Sequence, residues 1–137
     1  MALVMSSVIR RHLKDAEAYV DARETPPPIQ FDFKAEEVVG WYRNPPPWEE
    51  AYVAFTTSAL YIFDGTQQTR VPFDDIMHYE VPESKDESTG VRLRTRDGIA
   101  FVRFAGRSGP LGKFSDAFAL VGLLRAVVLV NQRKGGN

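Results

Sequence analysis

The chain has 137 residues, enough for one domain with its own core. Hydrophobic residues make up 44% and charged residues 26%, which excludes a disordered polar chain, because enough apolar surface is available to offset ordering. There is no cysteine, which excludes a disulfide framework, a thiolate nucleophile and a cysteine-based zinc site.

The net charge of −1 conceals an imbalance. Residues 32–87 carry four basic and twelve acidic side chains, and residues 88–137 carry nine basic and two acidic ones. Such asymmetry signals either a polyanion-binding face or two halves that lie together and neutralise. The second is the expectation, because surface charges pair readily with little consequence. The start, "MALVMSSVIRRHLKD", places its apolar piece before Arg10 and Arg11, against the basic-then-apolar order of a secretory signal. The longest apolar stretch, 117–130, is too short to span a bilayer and is broken by Arg125. A cytoplasmic protein is expected.

Ser6 or Ser7 can cap a first helix. Val8, Ile9, Leu13, Ala16, Tyr19 and Val20 recur at spacings of three and four, which predicts an amphipathic helix over 7–23. The prolines of "TPPP", 25–28, end it. Residues 1–28 therefore read as a helical arm with a stiff spacer, and 29–134 as the main domain.

From there the period changes to two. "EEVVGWYR" reads as a strand and "NPPPWEE" as a loop. "EEAYVAFTT" and "SALYIFDG" read as two strands or one broken pair, with Asp64-Gly65 as a hairpin turn. "TRVPFDDIMHYEVPE" offers a strand, a turn at 72–75 and another strand over 76–81. "SKDESTG" is a polar loop. "GVRLRTRDGIAFVRFAG" is the clearest hairpin, with Val91, Leu93 and Thr95 alternating against Arg92, Arg94 and Arg96 before Asp97-Gly98 turns the chain. "GRSGPLGK" lacks the Walker spacing. A last helix, 117–132, is capped by Ser115 or Asp116 and is apolar almost all round, so burial on more than one face is expected.

The order "AFTTSALYIFD", "VPFDDIMHYE", "GVRLRTRDGIAFVRF", then a C-terminal helix resembles the pleckstrin-homology-like (PH-like) superfold, nearest its GRAM and bacterial PH branches. The resemblance covers 33–132 and rests on Thr56 and Thr57, Leu60 and Tyr61, Pro72 with Ile76, and Asp97-Gly98. It implies an α+β, mainly β fold: a PH-like barrel of about seven antiparallel strands capped by the C-terminal helix, here with an extra N-terminal helix. Phosphoinositide-binding PH domains cluster Lys and Arg on the first two strands. The matching region, 40–54, has Arg43 alone, opposed by Glu49 and Glu50. An anionic headgroup is repelled there, so the lipid function of the family does not carry over.

Two surfaces are candidates. Trp48, Tyr42 and Arg43 surround the triple proline and suit a peptide-binding or membrane-touching patch. Arg92, Arg94 and Arg96 share one strand face, with Arg103 or Arg107 on the return strand, and suit anionic lipid, phosphate or an acidic partner. Each has a plainer reading: Trp41 in the core and Trp48 packed on its own prolines, the arginines paired with Glu80, Glu83, Asp86 or Glu87. Nucleic acid is disfavoured, since the chain is slightly acidic and the ladder has no interleaved aromatics. His12, His78 and the Asp74-Asp75 pair read as packing, surface and turn residues, so no catalytic, metal or cofactor site is expected. The expectation is a non-enzymatic cytoplasmic module for a protein or peptide partner, with peripheral anionic-lipid or phosphate binding as the alternative. The apolar faces of the two helices pack together within one chain or exchange between two, giving a homodimer.

Overall fold

The structure, a computed structural model, describes residues 5–14, 16, 19–27, 33, 36–44, 50–65, 67–80, 90–104 and 112–135, without the side chains of 112–118, 134 and 135. Helix α1 (Met5–Leu13) is followed by strands β1 (Tyr19–Asp21), β2 (Val38–Arg43), β3 (Tyr52–Thr56), β4 (Ala59–Phe63) and β5 (Gln68–Pro72). A 3-10 turn (Phe73–Asp75) leads to β6 (Ile76–Glu80), β7 (Gly90–Thr95), β8 (Gly98–Arg103) and helix α2 (Gly112–Gly135). Every strand pair is antiparallel, in a five-stranded sheet β1-β2-β3-β4-β5 and a three-stranded sheet β6-β7-β8. The arrangement is mainly β and antiparallel, with a helix at each end.

Two expectations are corrected. The sheets do not close into a barrel. The chain leaves the first sheet at Pro72, which has no amide to extend a ladder, and the 3-10 turn redirects it into β6. The first helix also ends ten residues early, at Leu13 rather than at 23. Two successive tight turns follow, Ala16 N to Leu13 O and Tyr19 N to Ala16 O, and Tyr19–Asp21 becomes a strand. The edge of β2 decides this. Tyr19, Val20 and Asp21 pair with Tyr42, Trp41 and Gly40, and a sheet ladder with half-buried side chains outcompetes further helical turns. Gly40 makes it sterically feasible: a Cβ there would lie 2.0 Å from the Tyr19 hydroxyl.

"TTSALYIFDG" resolves into β4 and its two flanking turns. The Thr56 hydroxyl donates to Ala59 O and accepts from the amides of Ser58 and Ala59, which closes β3 onto β4. At the other end Asp64 Oδ1 accepts from Gln67 N, and Gly65 takes φ +95°, which favours glycine. Glu36 gathers the Tyr61 hydroxyl, Thr56 Oγ1 and the Arg70 guanidinium, tying β3, β4 and β5 together. Arg70 is the largest cause holding the Glu36 carboxyl below the usual carboxylate range.

The main core joins α1 (Val8, Ile9, Leu13), both sheets and α2 (Leu120, Leu123, Leu124, Val127, Val128). A second cluster, Trp41, Tyr52, Ala54, Ala59 and Tyr61, covers the opposite face of the first sheet. All five residues of β3 are therefore buried despite their alternation. Trp41 is core, as its plainer reading expected, and its indole donates to Thr25 O at 3.0 Å. Helix α2 packs on α1, β6, β7 and the 3-10 turn within the same chain, where Asn131 Nδ2 donates to Phe73 O and Ile76 O, each at 2.8 Å. Its outer side, with Arg125 and Leu129, stays exposed.

Candidate functional site

The β7–β8 hairpin carries the most unusual surface among the described residues. Its register is even from Thr95↔Gly98 to Gly90↔Arg103. Val91, Leu93 and Val102 point inward and are buried, so the other parity faces out. The outer face sets Arg94 beside Ile99, Arg92 beside Phe101, and His78 and Glu80 of β6 beside Arg94 and Arg92. Ile99 is 66% exposed and Phe101 39%, which is uncommon for two large apolar side chains two residues apart on one strand.

Gly90 shapes this face. A Cβ there would meet Val102 O at 2.1 Å and the tip of the Phe101 ring at 2.7 Å, so the ring lies over the glycine. The Arg103 guanidinium carbon stands 5.1 Å from the centre of that ring, and burial lowers the Arg103 pKa. Behind β8 lies an open cleft of about 340 Å³. Tyr52, Ile62, Phe63 and Thr69 of the first sheet line one side, and Ile99, Phe101 and Arg103 the other. Asn44 holds the end of this cleft. Its side chain is buried, and Nδ2 donates to Ala51 O at 2.8 Å and to Arg103 O at 3.0 Å, bridging the two sheets.

Of the predicted arginine ladder, Arg92 and Arg94 share the outer face of β7, partly occupied, while Arg96 lies in the turn that follows. Glu80 pairs with both Arg94 (2.9 Å) and Arg92 (3.4 Å), while Arg96 lies 3.9 Å from Asp75. Those contacts, led by Arg94, lower the Glu80 pKa. Among the described residues, one carboxylate between two arginines leaves this face cationic. Of the other predicted trio, Tyr42 lies elsewhere: it is fully buried and stacks on Phe104 at 3.6 Å, because the β2 alternation turns it toward the core. Arg43 is exposed, with its guanidinium 5.9 Å from the centre of the Tyr52 ring. Trp48 and Arg107 lie outside the described residues.

Sequence reasoning missed Ile99, Phe101 and Asn44. The first two were within reach: the turn at Asp97-Gly98 fixes the register, and parity then puts Ile99 and Phe101 on the arginine face. Nothing in the sequence marks Asn44, whose acceptors are 7 and 59 residues away.

Among the described residues no cluster of histidine, aspartate and glutamate is placed to hold a metal ion, and no helix is long and apolar enough to cross a membrane. The chain is similar to a solved structure described as a DUF1696 family protein with a pleckstrin-homology domain from Shewanella loihica PV-4. The TM-score is 0.49 at 20% sequence identity, over 81% of this chain and 96% of that one. No protein-family model and no curated protein sequence matches the chain.

Proposed function

We propose that this chain is a non-enzymatic, PH-like binding module whose partner is a protein or peptide segment received along β8. The observation that carries this reading is the exposure of Ile99 and Phe101 beside the cleft, within a frame of Arg92, Arg94 and Arg103. Exposed apolar side chains next to a concave surface with charged flanks suit a partner that brings its own apolar residues and acidic groups. Tyr42 is buried and Trp48 lies outside the described residues, so the reading is carried by the second sheet.

The test is a selection from a random peptide display library with the full-length protein as bait. Enrichment of apolar-acidic peptides that is lost in Phe101→Ser and in Arg103→Glu supports the reading. Enrichment indifferent to both substitutions defeats it.

Peripheral binding to anionic lipid or phosphate is the second reading, favoured by Ile99 standing beside Arg94 on the same exposed face. Flotation with phosphatidylserine vesicles at low salt, where screening is weakest, checks it with wild type and the Arg92→Glu/Arg94→Glu double variant. Association that the double variant loses favours lipid; no association removes it.

A further inference from the structure

Resting on the peptide reading above, we infer that the partner segment is extended and carries apolar and acidic residues, and that it pairs with β8 as an additional strand.

The four sheet edges differ in how well they resist such pairing. Edges are normally blunted by shortness, proline, bulges, polar side chains or a covering element. β1 has only three residues. β5 ends in Pro72 and begins with exposed Gln68 and Thr69. β6 has a register shift between Ile76 and His78, and α2 packs against it. Among the described residues β8 has none of these over Ile99–Phe101: it is six residues long, has no proline and is evenly registered, and only its Arg103 end is bridged to the first sheet, by Asn44.

The direction of the β8 backbone groups can be read from two contacts. The Val102 carbonyl points back at β7, 2.1 Å from where a Gly90 Cβ would stand. The Arg103 carbonyl instead accepts from Asn44, away from β7. In an antiparallel ladder these directions alternate, so Ile99 and Phe101 share the parity of Arg103. Their N–H and C=O groups therefore face the cleft, whose far side is the open end of β3, β4 and β5. An added strand there lies along β8, at the mouth between the two sheets.

The side chains set the chemistry of the segment. On the outer face its alternate residues stand beside Ile99 and Phe101, which selects two apolar residues at a spacing of two. Its inner face meets Ile62, which packs against the main core. Among the described residues Arg92 and Arg94 share a single acidic partner, so their surplus charge favours an acidic segment and opposes a basic one.

The probe is an acetylated octapeptide of alternating valine and threonine with an aspartate at each end. Two counterparts are compared with it: one with lysine replacing the aspartates, and one with N-methylated valines, which lack the strand donors. Amide shifts and slowed hydrogen exchange at Ile99 and Phe101 are expected with the parent peptide. Each counterpart should bind about tenfold more weakly, the effect of losing roughly 1.4 kcal/mol. Phe101→Pro removes only an outward N–H and leaves the bonds to β7, so it should bind about tenfold more weakly than Phe101→Ala. A parent peptide that produces no shifts at β8, an N-methylated peptide as tight as the parent, or a proline variant equal to the alanine variant overturns strand addition. If library-selected peptides still depend on Phe101 and Arg103 in that event, the peptide reading survives alone. If they depend on neither, both fall.

Discussion

At the scale of single residues, small side chains decide where large ones go. Tyr19 is the clearest case. Its ring packs edge-on to Phe55 with centroids 6.1 Å apart, and its hydroxyl is buried without a hydrogen-bond partner among the described residues. Burial, followed by the nearby Asp21 charge, raises its pKa to about 12. An unsatisfied buried hydroxyl costs about 1–3 kcal/mol, so Tyr19→Phe should leave stability unchanged or raise it. Gly40→Ala should act the opposite way, because its Cβ would overlap that hydroxyl, and overpacking costs about 1–3 kcal/mol. Urea denaturation of the two variants beside wild type measures both. A Gly40→Ala protein as stable as wild type would refute the close approach that lets β1 form.

At the scale of elements, the segment after α1 shows how side-chain chemistry fixes a boundary. Asp21 sits at the end of β1 and receives Arg10 Nε at 2.9 Å, Arg23 Nη2 at 2.9 Å and the Arg23 amide at 2.9 Å. With the Arg23 side-chain bond as the largest cause, these contacts hold its carboxyl at about 2, against an ordinary 3.8. The folded pKa is depressed, so the stabilisation is fully present above 3.8 and is lost as pH falls through about 2. Because Arg23 is largely exposed, solvent screening reduces what this shift contributes to stability. Asp21→Asn should therefore be less stable than wild type near neutral pH and should approach it at about pH 2, as followed by urea midpoints. A gap that stays constant with pH would show that the ion pairs do not stabilise the fold. The periodicity of Val8 to Val20 had pointed to one helix, because Tyr19 and Val20 fit both an apolar helical stripe and a strand. Only the free edge of β2, which is remote in sequence, separates the two.

At the scale of the whole molecule, two asparagines clamp what the strands leave open. Asn131 ties α2 to the 3-10 turn, and Asn44 ties the β2–β3 connection to the end of β8. Without barrel closure, Asn44 is a direct polar bridge between the sheets. Asn44→Ala removes the side-chain bond to Arg103 O, while Ala51 O keeps the residue-44 amide at 3.3 Å, and should cost about 1 kcal/mol. It should also speed hydrogen exchange in β8 more than in β4, because β4 remains paired on both sides. Equal protection in the two strands would show that β8 is held by other means.

The sequence by itself determined the strands, their turns and the terminal helix. Period-two alternation, the Asp64-Gly65 and Asp97-Gly98 turns and the apolar run after 117 are local signals, governed by residues a few positions apart. It also determined that Arg92 and Arg94 share a face, since alternation alone dictates that. The tertiary structure decided the rest: that the sheets stay open, that Tyr42 turns inward, that residues 19–21 leave the helix, and that Ile99 and Phe101 stand beside a cleft. Each of these depends on contacts between residues far apart in the chain, and so on which surfaces the folded chain has left to cover.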